Sequence, residues 1–279
     1  MIFKGKIAVL KGGYSDERAI SLKTGENVEQ ALNELGLRYA SIDCKDDFLE
    51  KLISSNFDLC FNALHGEFGE DGQIQALLEE IGIKYTHSGV SSSILAMNKA
   101  FSKEIFIRND VPTPQYKMID KDDINENDIL IPSVIKPINN GSSFGVYIIM
   151  NESDKTSFLK DIKNWKYGKY IMVEKYIEGR ELTCGIIADK PTEVMEIKAK
   201  NIFYDYETKY TQGMSEYILA KDIPRETYKK IQDLTMNCHN LLGCKGVTRT
   251  DFRLEEDTIL SPYVLELNTN PGLTKTSLI

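Results

Sequence analysis

The feature that most constrains the fold is an alternation of strand-like and helix-like segments over roughly the first 90 residues. Lys6 to Leu10 is predicted as a strand, and Ser15 as the N-cap of a helix that ends at Gly36. Strands at Tyr39 to Asp43 and Phe57 to Leu64 follow, each succeeded by a further helical pattern. This βαβαβα order predicts a parallel sheet.

The remainder of the chain is predicted to be of α+β type. A helix is expected at Ile94 to Ile107, a second near Ser153 to Trp165 and a third from about Pro224 to Leu242. A polar, Tyr-rich loop is expected at Asn201 to Glu216. The predicted strands of this part are Ser133 to Lys136, Val146 to Met150, Tyr170 to Glu174, Glu181 to Ile187, Glu193 to Lys198 and two more near the end of the sequence.

The composition narrows the function classes. A formal net charge of -8 argues against a general nucleic-acid surface, although local basic sites for phosphates remain compatible with it. Five cysteines are scattered without a CxxC pair, which is typical of reduced intracellular thiols. The N-terminal apolar run stops at Lys11, and no stretch approaches the ~20 apolar residues of a membrane helix. We therefore expect a cytoplasmic protein with no nucleic-acid or membrane partner.

Two segments, GVTRTDFRLEED and LELNTNPG, predict an antiparallel hairpin with polar side chains on one face. Leu265 and Leu267 project from the opposite face and suit a core. We place Leu254 opposite Tyr263. The opposed polar residues are then Asp251 with Glu266 and Arg249 with Asn268.

The opposed carboxylates have two interpretations. Two carboxylates about 5 Å apart repel by about 3 kcal/mol at an effective dielectric constant near 20, so a positive charge must offset the repulsion. Oxygen ligands suit Mg²⁺, which bridges carboxylates to substrate phosphates. Alternatively, Arg249 and Arg253 neutralise the acids in a surface ladder. The hairpin alone favours neither interpretation.

Two loop motifs likewise have a functional and a plainer interpretation. In VIKPINNGSSFGV, a lysine ends a strand before a loop of small residues, through which backbone N–H groups can approach phosphates. By itself such a loop is more often a hairpin connection. VEKYIEGRE can present its backbone to an adenine, but as an isolated motif it is more often a link between domains.

The N-terminal motifs GGYSDER and LHGEFGEDG follow predicted strands. We expect Asp16 and Glu17 in the first turn of a helix, where carboxylates favour the helix dipole and would repel a phosphate. A site for an ammonium group is the functional interpretation, and acidic capping is the commoner one. His65 lies just beyond a buried strand, where parallel sheets keep their sites, although a lone histidine is more often structural.

Taken together, these segments resemble the D-alanine–D-alanine ligases of the ATP-grasp superfamily. The matching stretches are GGYSDERAISLKTG, LHGEFGEDGQIQALLE, YTHSGVSSSILAMNKAFSK, IKPINNGSSFGV, VEKYIEGRE, FYDYETKY, RTDF and LELNTNPGLTKTSLI. They occur in order across essentially the whole chain. Each is weak alone, but their joint occurrence is highly specific.

The resemblance implies an ATP-grasp fold, combining α/β and α+β parts, with an N-terminal parallel-sheet domain. The expected units are residues 1–90, 91–175 and 176–279. It further implies ATP-dependent ligation of two D-alanines through an acyl phosphate, for peptidoglycan precursor synthesis. The expected cofactors are ATP and two Mg²⁺ ions, for which Mn²⁺ can substitute, and the expected assembly is a homodimer.

The resemblance also implies roles for residues that contact the amino acids. Glu17 would bind the first ammonium group, directly or through His65, and Ser142 and Tyr210 would join Glu17 in a hydrogen-bonded set that closes the site. Arg249 and the Gly272 backbone N–H would stabilise the tetrahedral oxyanion. Ser277 and the Leu278 backbone would bind the second carboxylate.

The remaining implied roles concern the nucleotide and the metal ions. The expected nucleotide contacts are Lys99, Lys136 and Lys209 at phosphates, Ser143 in the covering loop at Gly141 to Gly145, Glu174, Lys175 and Ile177 at the adenine, and Glu181 at the ribose. The expected metal ligands are Asp251, Glu266 and Asn268.

Two rival functions stay open at the level of sequence. The first is a D-alanyl-D-lactate ligase, although such depsipeptide ligases typically carry Phe at the position of Tyr210. The second is a non-catalytic nucleotide-binding relative, whose expected mark is a missing lysine or metal ligand, and none is missing. Family members usually continue through a further C-terminal helix, whereas this sequence stops at Ile279.

Overall fold

The computed structural model describes residues 3–199, 215–256 and 260–274. Over these residues the strands form three sheets, which we call the N-terminal, central and C-terminal sheets. Within the same ranges, no helix combines the length and apolar character needed to cross a membrane.

The N-terminal sheet is parallel, as predicted, with strand order β2-β1-β3. Its elements are β1 (Lys6–Lys11), α1 (Arg18–Glu34), β2 (Arg38–Asp43), α2 (Phe48–Ser54), β3 (Leu59–Asn62) and α3 (Gln73–Glu80). Helices cover both faces of the sheet, because β1 has apolar side chains on both faces. Leu10 on one face packs in a cluster with Leu78, whereas Val9 on the other packs in a cluster with Val28. Gly36 ends the α1 segment with a φ of 65°, which favours glycine.

The start of α1 differs from the prediction. The N-cap is Glu17, not Ser15, so Asp16 and Glu17 lie in the turn before the helix and not in its first turn. The Ser15 hydroxyl donates to the carbonyl of His65 at 2.6 Å and accepts from the N–H of Glu17 at 3.2 Å. The side chain of Glu17 therefore projects from the turn that precedes α1, and not from the surface of the helix.

The helix predicted at Ile94 to Ile107 is two helices, α4 (Val90–Met97) and α5 (Lys99–Arg108). They meet at Asn98, whose backbone is extended and whose side chain accepts a hydrogen bond from the N–H of Phe101. Asparagine competes well as an N-cap, so it starts a new helix within an otherwise continuous apolar pattern.

The central sheet is antiparallel, with strand order β4-β7-β5-β6. Its elements are β4 (Tyr116–Asp120), β5 (Ser133–Pro137), β6 (Tyr147–Ile149), α6 (Glu152–Asp161) and β7 (Tyr170–Lys175). β4 was not predicted. The helix predicted to continue to Trp165 ends at Asp161, and a 3₁₀ turn at Ile162–Asn164 follows it.

The C-terminal sheet has strand order β11-β10-β8-β12-β13, and β9 pairs with β8. Its elements are β8 (Arg180–Ile187), β9 (Lys190–Pro191), β10 (Met195–Ala199), β11 (Ser215–Leu219), α7 (Arg225–Leu241), β12 (Thr248–Glu255) and β13 (Ser261–Asn268). β11 includes the last two residues of the predicted Tyr-rich loop, Ser215 and Glu216, which are therefore strand residues. Ala96 of α4, Phe106 of α5 and Ile231 of α7 join one apolar core with Phe252 of this sheet.

The hairpin of β12 and β13 has the predicted polar pairs, Arg249 opposite Asn268 and Asp251 opposite Glu266. The predicted pairing of Leu254 with Tyr263 is wrong, because a bulge follows Asp251 and places Leu254 opposite Pro262. The bulge also corrects the prediction for Leu265, which lines a pocket, whereas Val264 and Leu267 enter the core.

Candidate active site

One pocket lies where the three sheets meet, and it gathers the predicted site residues. Every predicted site residue within residues 3–199, 215–256 and 260–274 lines it. These residues are Glu17, His65, Lys99, Lys136, Ser142, Ser143, Glu174, Lys175, Ile177, Glu181, Arg249, Asp251, Glu266, Asn268 and Gly272. Lys209, Tyr210, Ser277 and Leu278 lie outside the described residues, so their predicted roles remain expectations.

The carboxylate of Asp251 is held on the pocket face of the C-terminal sheet. Arg249 donates to both of its oxygens, at 2.9 and 2.8 Å. Thr183 on β8 donates at 2.7 Å, and the side-chain amide of Asn268 donates at 3.1 Å. Because Nδ2 of Asn268 is directed at Asp251, the amide oxygen is the atom of that side chain suited to a cation.

The second carboxylate of the hairpin, Glu266, pairs with a lysine from another element. Lys99, the first residue of α5, places Nζ 2.9 Å from Oε2 of Glu266. The same ammonium group donates to the carbonyl of Asn140 at 2.7 Å, at the start of the Gly-Ser loop. Lys99 therefore connects the metal-ligand candidate Glu266 to the loop expected to cover phosphates.

In the alternative interpretation Arg249 and Arg253 neutralise the two acids, and the structure shows this pairing for Arg249 with Asp251 but not for Arg253. Arg253 is directed to the predicted adenine segment, where its Nε donates to the carbonyl of Ile177 at 3.1 Å. Its guanidinium also lies 3.6 Å from a carboxylate oxygen of Glu181. Arg253 thus organises the segment predicted to contact adenine and ribose, a role that its position on the strand face did not reveal.

A buried ionic cluster forms the wall behind the predicted adenine segment. The carboxylate of Glu174 is 2% exposed and pairs with two lysines: Lys136 at 2.9 Å and Lys103 at 2.7 Å. Burial raises the pKa of Glu174, but the two ammonium groups outweigh burial and bring it below its ordinary value. Lys103 was missed by sequence reasoning because it occurs as an ordinary helical lysine, and only the fold shows that it is buried.

The N-terminal end of the pocket holds a third carboxylate, Glu17, which is 7% exposed. Its Oε2 accepts a hydrogen bond from the Ser142 hydroxyl at 2.5 Å. Ser142 and Ser143 both have a left-handed backbone, with φ of 51° and 59°, a conformation that is uncommon for non-glycine residues. The Gly-Ser loop of the central sheet is thereby joined to the N-terminal unit.

His65 lies next to this carboxylate end and has partners on two sides. Its Nδ1 is 3.1 Å from Oε1 of Glu70, and its Nε2 is 2.8 Å from the hydroxyl of Thr24. The Thr24 hydroxyl also accepts from the N–H of Leu273 at 3.3 Å. A Cβ added to Gly272 would lie 3.9 Å from the His65 ring, so the histidine adjoins the predicted oxyanion loop.

The loop after β13 is attached to the N-terminal unit by further contacts. The side-chain amide of Asn270 donates to the carbonyl of Leu64 at 2.7 Å, and that of Asn27 donates to the carbonyl of Leu273 at 2.7 Å. These bonds bring Gly272 to the pocket. Their donors were not recognised in the sequence, because each serves a backbone group that is remote along the chain.

The arrangement of a parallel N-terminal sheet and two antiparallel sheets around a pocket rich in lysines and carboxylates is that of an ATP-grasp enzyme. Two family models match the chain: one described as D-ala D-ala ligase N-terminus over residues 40–88, and one described as D-ala D-ala ligase C-terminus over residues 105–279.

Individual relatives agree with the family models. The D-alanine–D-alanine ligase of Wolbachia sp. subsp. Drosophila simulans (strain wRi) is 45% identical, with 100% of this chain and 88% of the relative covered. That of Rhodospirillum rubrum is 41% identical, with 98% and 90% covered. A crystal structure of the Bacillus anthracis D-alanine–D-alanine ligase has a TM-score of 0.84 at 31% identity, with 98% of this chain and 89% of that chain covered. A second structure of that protein, complexed with ATP, has a TM-score of 0.82 at 29% identity, with the same shares covered.

The chain belongs to the D-alanine–D-alanine ligase family. Its activity is that of the family: ATP-dependent ligation of two D-alanines, which supplies a precursor of peptidoglycan.

Proposed function

We propose that the residues of this pocket divide the ligation between a nucleotide end and an amino-acid end. The observation that carries this proposal is the pairing of Asp251 with Glu266 and of Arg249 with Asn268 on the pocket face of one hairpin. Lysines approach this face, and Glu17 lies at the opposite end. The lysines beside the hairpin attract phosphates, and the carboxylate of Glu17 attracts an ammonium group.

Divalent cations fit the hairpin end. Asp251, Glu266 and Asn268 offer oxygen donors only, which is the donor set that Mg²⁺ and Mn²⁺ prefer. Within the described part of the chain, no cluster of three or more His, Cys, Asp or Glu side chains could hold a metal. The set proposed here has two carboxylates, and its third donor is the amide of Asn268. We propose that these three residues hold two Mg²⁺ ions together with phosphate oxygens. Bound Mg²⁺ would neutralise charge on the transferring phosphoryl group.

The nucleotide end is proposed to work through lysines and backbone. Lys99 and Lys136 would hold phosphates, with Lys209 as a further contact, and Ser143 would cover them from the Gly-Ser loop. Glu174, Lys175 and Ile177 are the proposed adenine contacts, and Glu181 the ribose contact. Support comes from the position of all the described members of this set around one pocket.

The amino-acid end is proposed to orient both D-alanines. Glu17, with His65 adjoining it, would bind the first ammonium group, while Ser142 and Tyr210 hold the Gly-Ser loop and the Asn201 to Glu216 segment over the site. Ser277 and the Leu278 backbone would bind the second carboxylate. The hydrogen bond between Ser142 and Glu17 supports the closing role of this loop.

The reaction then has two steps. A carboxylate oxygen of the first D-alanine attacks the γ-phosphorus of ATP, and ADP leaves. The free amine of the second D-alanine attacks the carbonyl carbon of the acyl phosphate, and inorganic phosphate leaves. Arg249 and the N–H of Gly272 would stabilise the tetrahedral oxyanion of the second step. Positioning of the reactants and neutralisation of charge account for the rate enhancement, so no covalent intermediate on the protein is needed.

The direct experiment measures phosphate release when D-alanine is added to protein, ATP and Mg²⁺, with mass spectrometry of the product. We expect equal amounts of phosphate and D-alanyl-D-alanine, no turnover without a divalent cation, and negligible D-alanyl-D-lactate when D-lactate competes. Phosphate release that is independent of D-alanine, or a predominant depsipeptide product, would contradict the proposal. We further propose unit limits near residues 90 and 175 and a homodimer, both of which follow from the family resemblance.

A further inference from the structure

The buried side chain of Lys103 is not explained by the roles above. It is 0% exposed and does not line the pocket. A buried ammonium group is unfavourable unless it is paired and hydrogen-bonded. Lys103 meets that condition with Oε2 of Glu174 at 2.7 Å and the hydroxyl of Thr113 at 2.5 Å.

The pairing leaves a surplus of positive charge at the pocket. Glu174 is one carboxylate between two lysines: Lys103 on one oxygen and Lys136 on the other. Only Lys136 of these two lysines faces the pocket, so the surplus charge is available to a ligand at Lys136. Without Lys103, the charge of Lys136 would be balanced by Glu174.

We propose that Lys103 is a positioning residue for nucleotide binding: it neutralises Glu174 from within the core, so that Lys136 retains its charge for the polyphosphate of ATP. This inference rests on the proposed role of Lys136 at phosphates. It assigns to α5 a second function besides the contact made by Lys99.

The position of Lys103 is fixed from a second side. Thr113 accepts from Lys103 and donates to the carbonyl of Val264 at 2.8 Å. The N–H of Val264 in turn donates to the carbonyl of Pro112 at 2.8 Å. Val264 directly precedes the bulge residue Leu265, so Lys103 is anchored to the strand that carries Glu266.

The charge of Lys103 is sensitive to pH in this environment. Burial lowers the pKa of Lys103 to about 8, with Glu174 and Glu266 raising it and Lys136 lowering it further. The groups that face it are Glu174 from β7, Lys136 from β5, Glu266 from β13 and the ring of Tyr116 from β4, whose centroid is 5.7 Å from Nζ. A polyphosphate stabilises the protonated form, so the affinity for ATP should fall as the pH rises through about 8.

The experiment compares dissociation constants of ATP·Mg²⁺ and adenosine for the unmodified protein, Lys103→Met, Lys136→Met and Ser102→Ala. Ser102→Ala is the matched control, because Ser102 is buried on the same helix and donates to the carbonyl of Lys99. We expect Lys103→Met to weaken ATP about tenfold, a loss within the range of coupling between members of one salt-bridge network. Adenosine should change by less than about twofold, and Ser102→Ala should change neither by more than that.

A double variant tests whether Lys103 affects ATP binding through Glu174. In a Glu174→Gln background, Lys103→Met should change ATP affinity by less than about twofold, because no carboxylate then competes for Lys136. An equal loss in both backgrounds overturns the inference, as does an equal loss of ATP and adenosine affinity. If Lys136→Met leaves ATP affinity unchanged, the proposed role of Lys136 fails; if Lys136→Met weakens ATP and Lys103→Met does not, only the inference fails.

One measurement needs no variant that might fail to fold. In the unmodified protein, ATP affinity should fall about fivefold or more between pH 7 and 9, while adenosine affinity stays constant. Where Lys103→Met folds, its ATP affinity should be nearly flat over the same range. A flat profile for the unmodified protein overturns the inference.

Discussion

The two ends of the pocket are assembled in different ways. At the nucleotide end, Asp251 receives its hydrogen bonds from Arg249 on the same strand and from Thr183 and Asn268 on the two neighbouring strands. At the amino-acid end, Glu17 is held by Ser142, a residue 125 positions away on a loop of another sheet.

This difference has a physical consequence. Contacts within one sheet exist whenever that sheet is folded, so the hydrogen bonds of Asp251 are in place before any ligand binds. A contact between separate units exists only while those units and the loop keep their relative positions. Alterations at the hairpin should therefore reduce the rate at all substrate concentrations, whereas alterations at Glu17 and Ser142 should act first on amino-acid binding.

The largest effect is expected from Glu266→Gln, which keeps the size of the side chain but removes its charge. A proposed metal ligand and the partner of Lys99 are lost together, so turnover should fall by more than the about 10²–10³-fold typical of losing one electrostatic donor. Steady-state assays with a Mg²⁺ titration provide the measurement. Glu255→Gln, at the far end of the same hairpin, is the control and should retain activity. Full activity of Glu266→Gln at saturating Mg²⁺ would remove Glu266 from the metal site.

Arg249→Met should lower turnover by about 10²–10³-fold with a much smaller effect on ATP affinity, because an oxyanion donor is lost. The structure supplies a sharp control in Arg253→Met, four residues along on the same strand, where the contacts are to Ile177 and Glu181. That control should weaken ATP binding with little loss of turnover at saturation. If Arg249→Met weakens ATP as steeply as it lowers turnover, Arg249 serves to neutralise Asp251 and has no oxyanion role.

Ser142→Ala removes the hydroxyl that donates to Glu17, and charged hydrogen bonds of this kind contribute about 1.5–3 kcal/mol. We expect the KM for the first D-alanine to rise about tenfold or more, with ATP affinity nearly unchanged. Ser143→Ala, at the neighbouring left-handed position, should show the opposite pattern, with an effect on ATP. Identical profiles for the two variants would contradict the division of the pocket into two ends.

The smallest effect is expected from Gly141→Ala. An added Cβ would lie 2.8 Å from Oε1 of Glu17, so the carboxylate must move, although the backbone of Gly141 is not left-handed. The KM for D-alanine should rise about threefold. The free energy of unfolding should change by less than about 0.5 kcal/mol, since only the end of one side chain is displaced. In Gly89→Ala, the nearest atom is 3.5 Å away, an ordinary contact, and the KM for D-alanine should not change.

Features within one sheet were predicted from the sequence better than contacts between separate parts of the chain. The parallel order of β1 to β3 and the pairs Asp251–Glu266 and Arg249–Asn268 were predicted, because periodicity and strand alternation are local properties. The bulge at Leu265 was not, since a shift of one residue on β13 leaves no mark in an alternating pattern. The break at Asn98 was also missed, as the apolar periodicity runs through it.

Contacts between units were the least predictable part of the site. Nothing local distinguishes Lys103 from an exposed lysine, or Thr24 and Asn270 from surface residues. Their importance arises from neighbours that are distant in the chain, namely Glu174, Leu273 and Leu64. The family resemblance pointed to residues that line the pocket, but not to those that hold them in position.

The attachment of Leu273 to the N-terminal unit also bears on the order of events during synthesis. Thr24 and Leu273 are 249 positions apart. A ribosome that adds ~5–20 residues per second therefore makes Thr24 roughly 12–50 s before Leu273. The N-terminal sheet can pair its strands early in that interval, but the peptide group that bonds to Thr24 beside His65 does not yet exist. The amino-acid end is thus the last part of the pocket to be completed, and a nascent chain cannot position a D-alanine there while translation is still upstream of this segment.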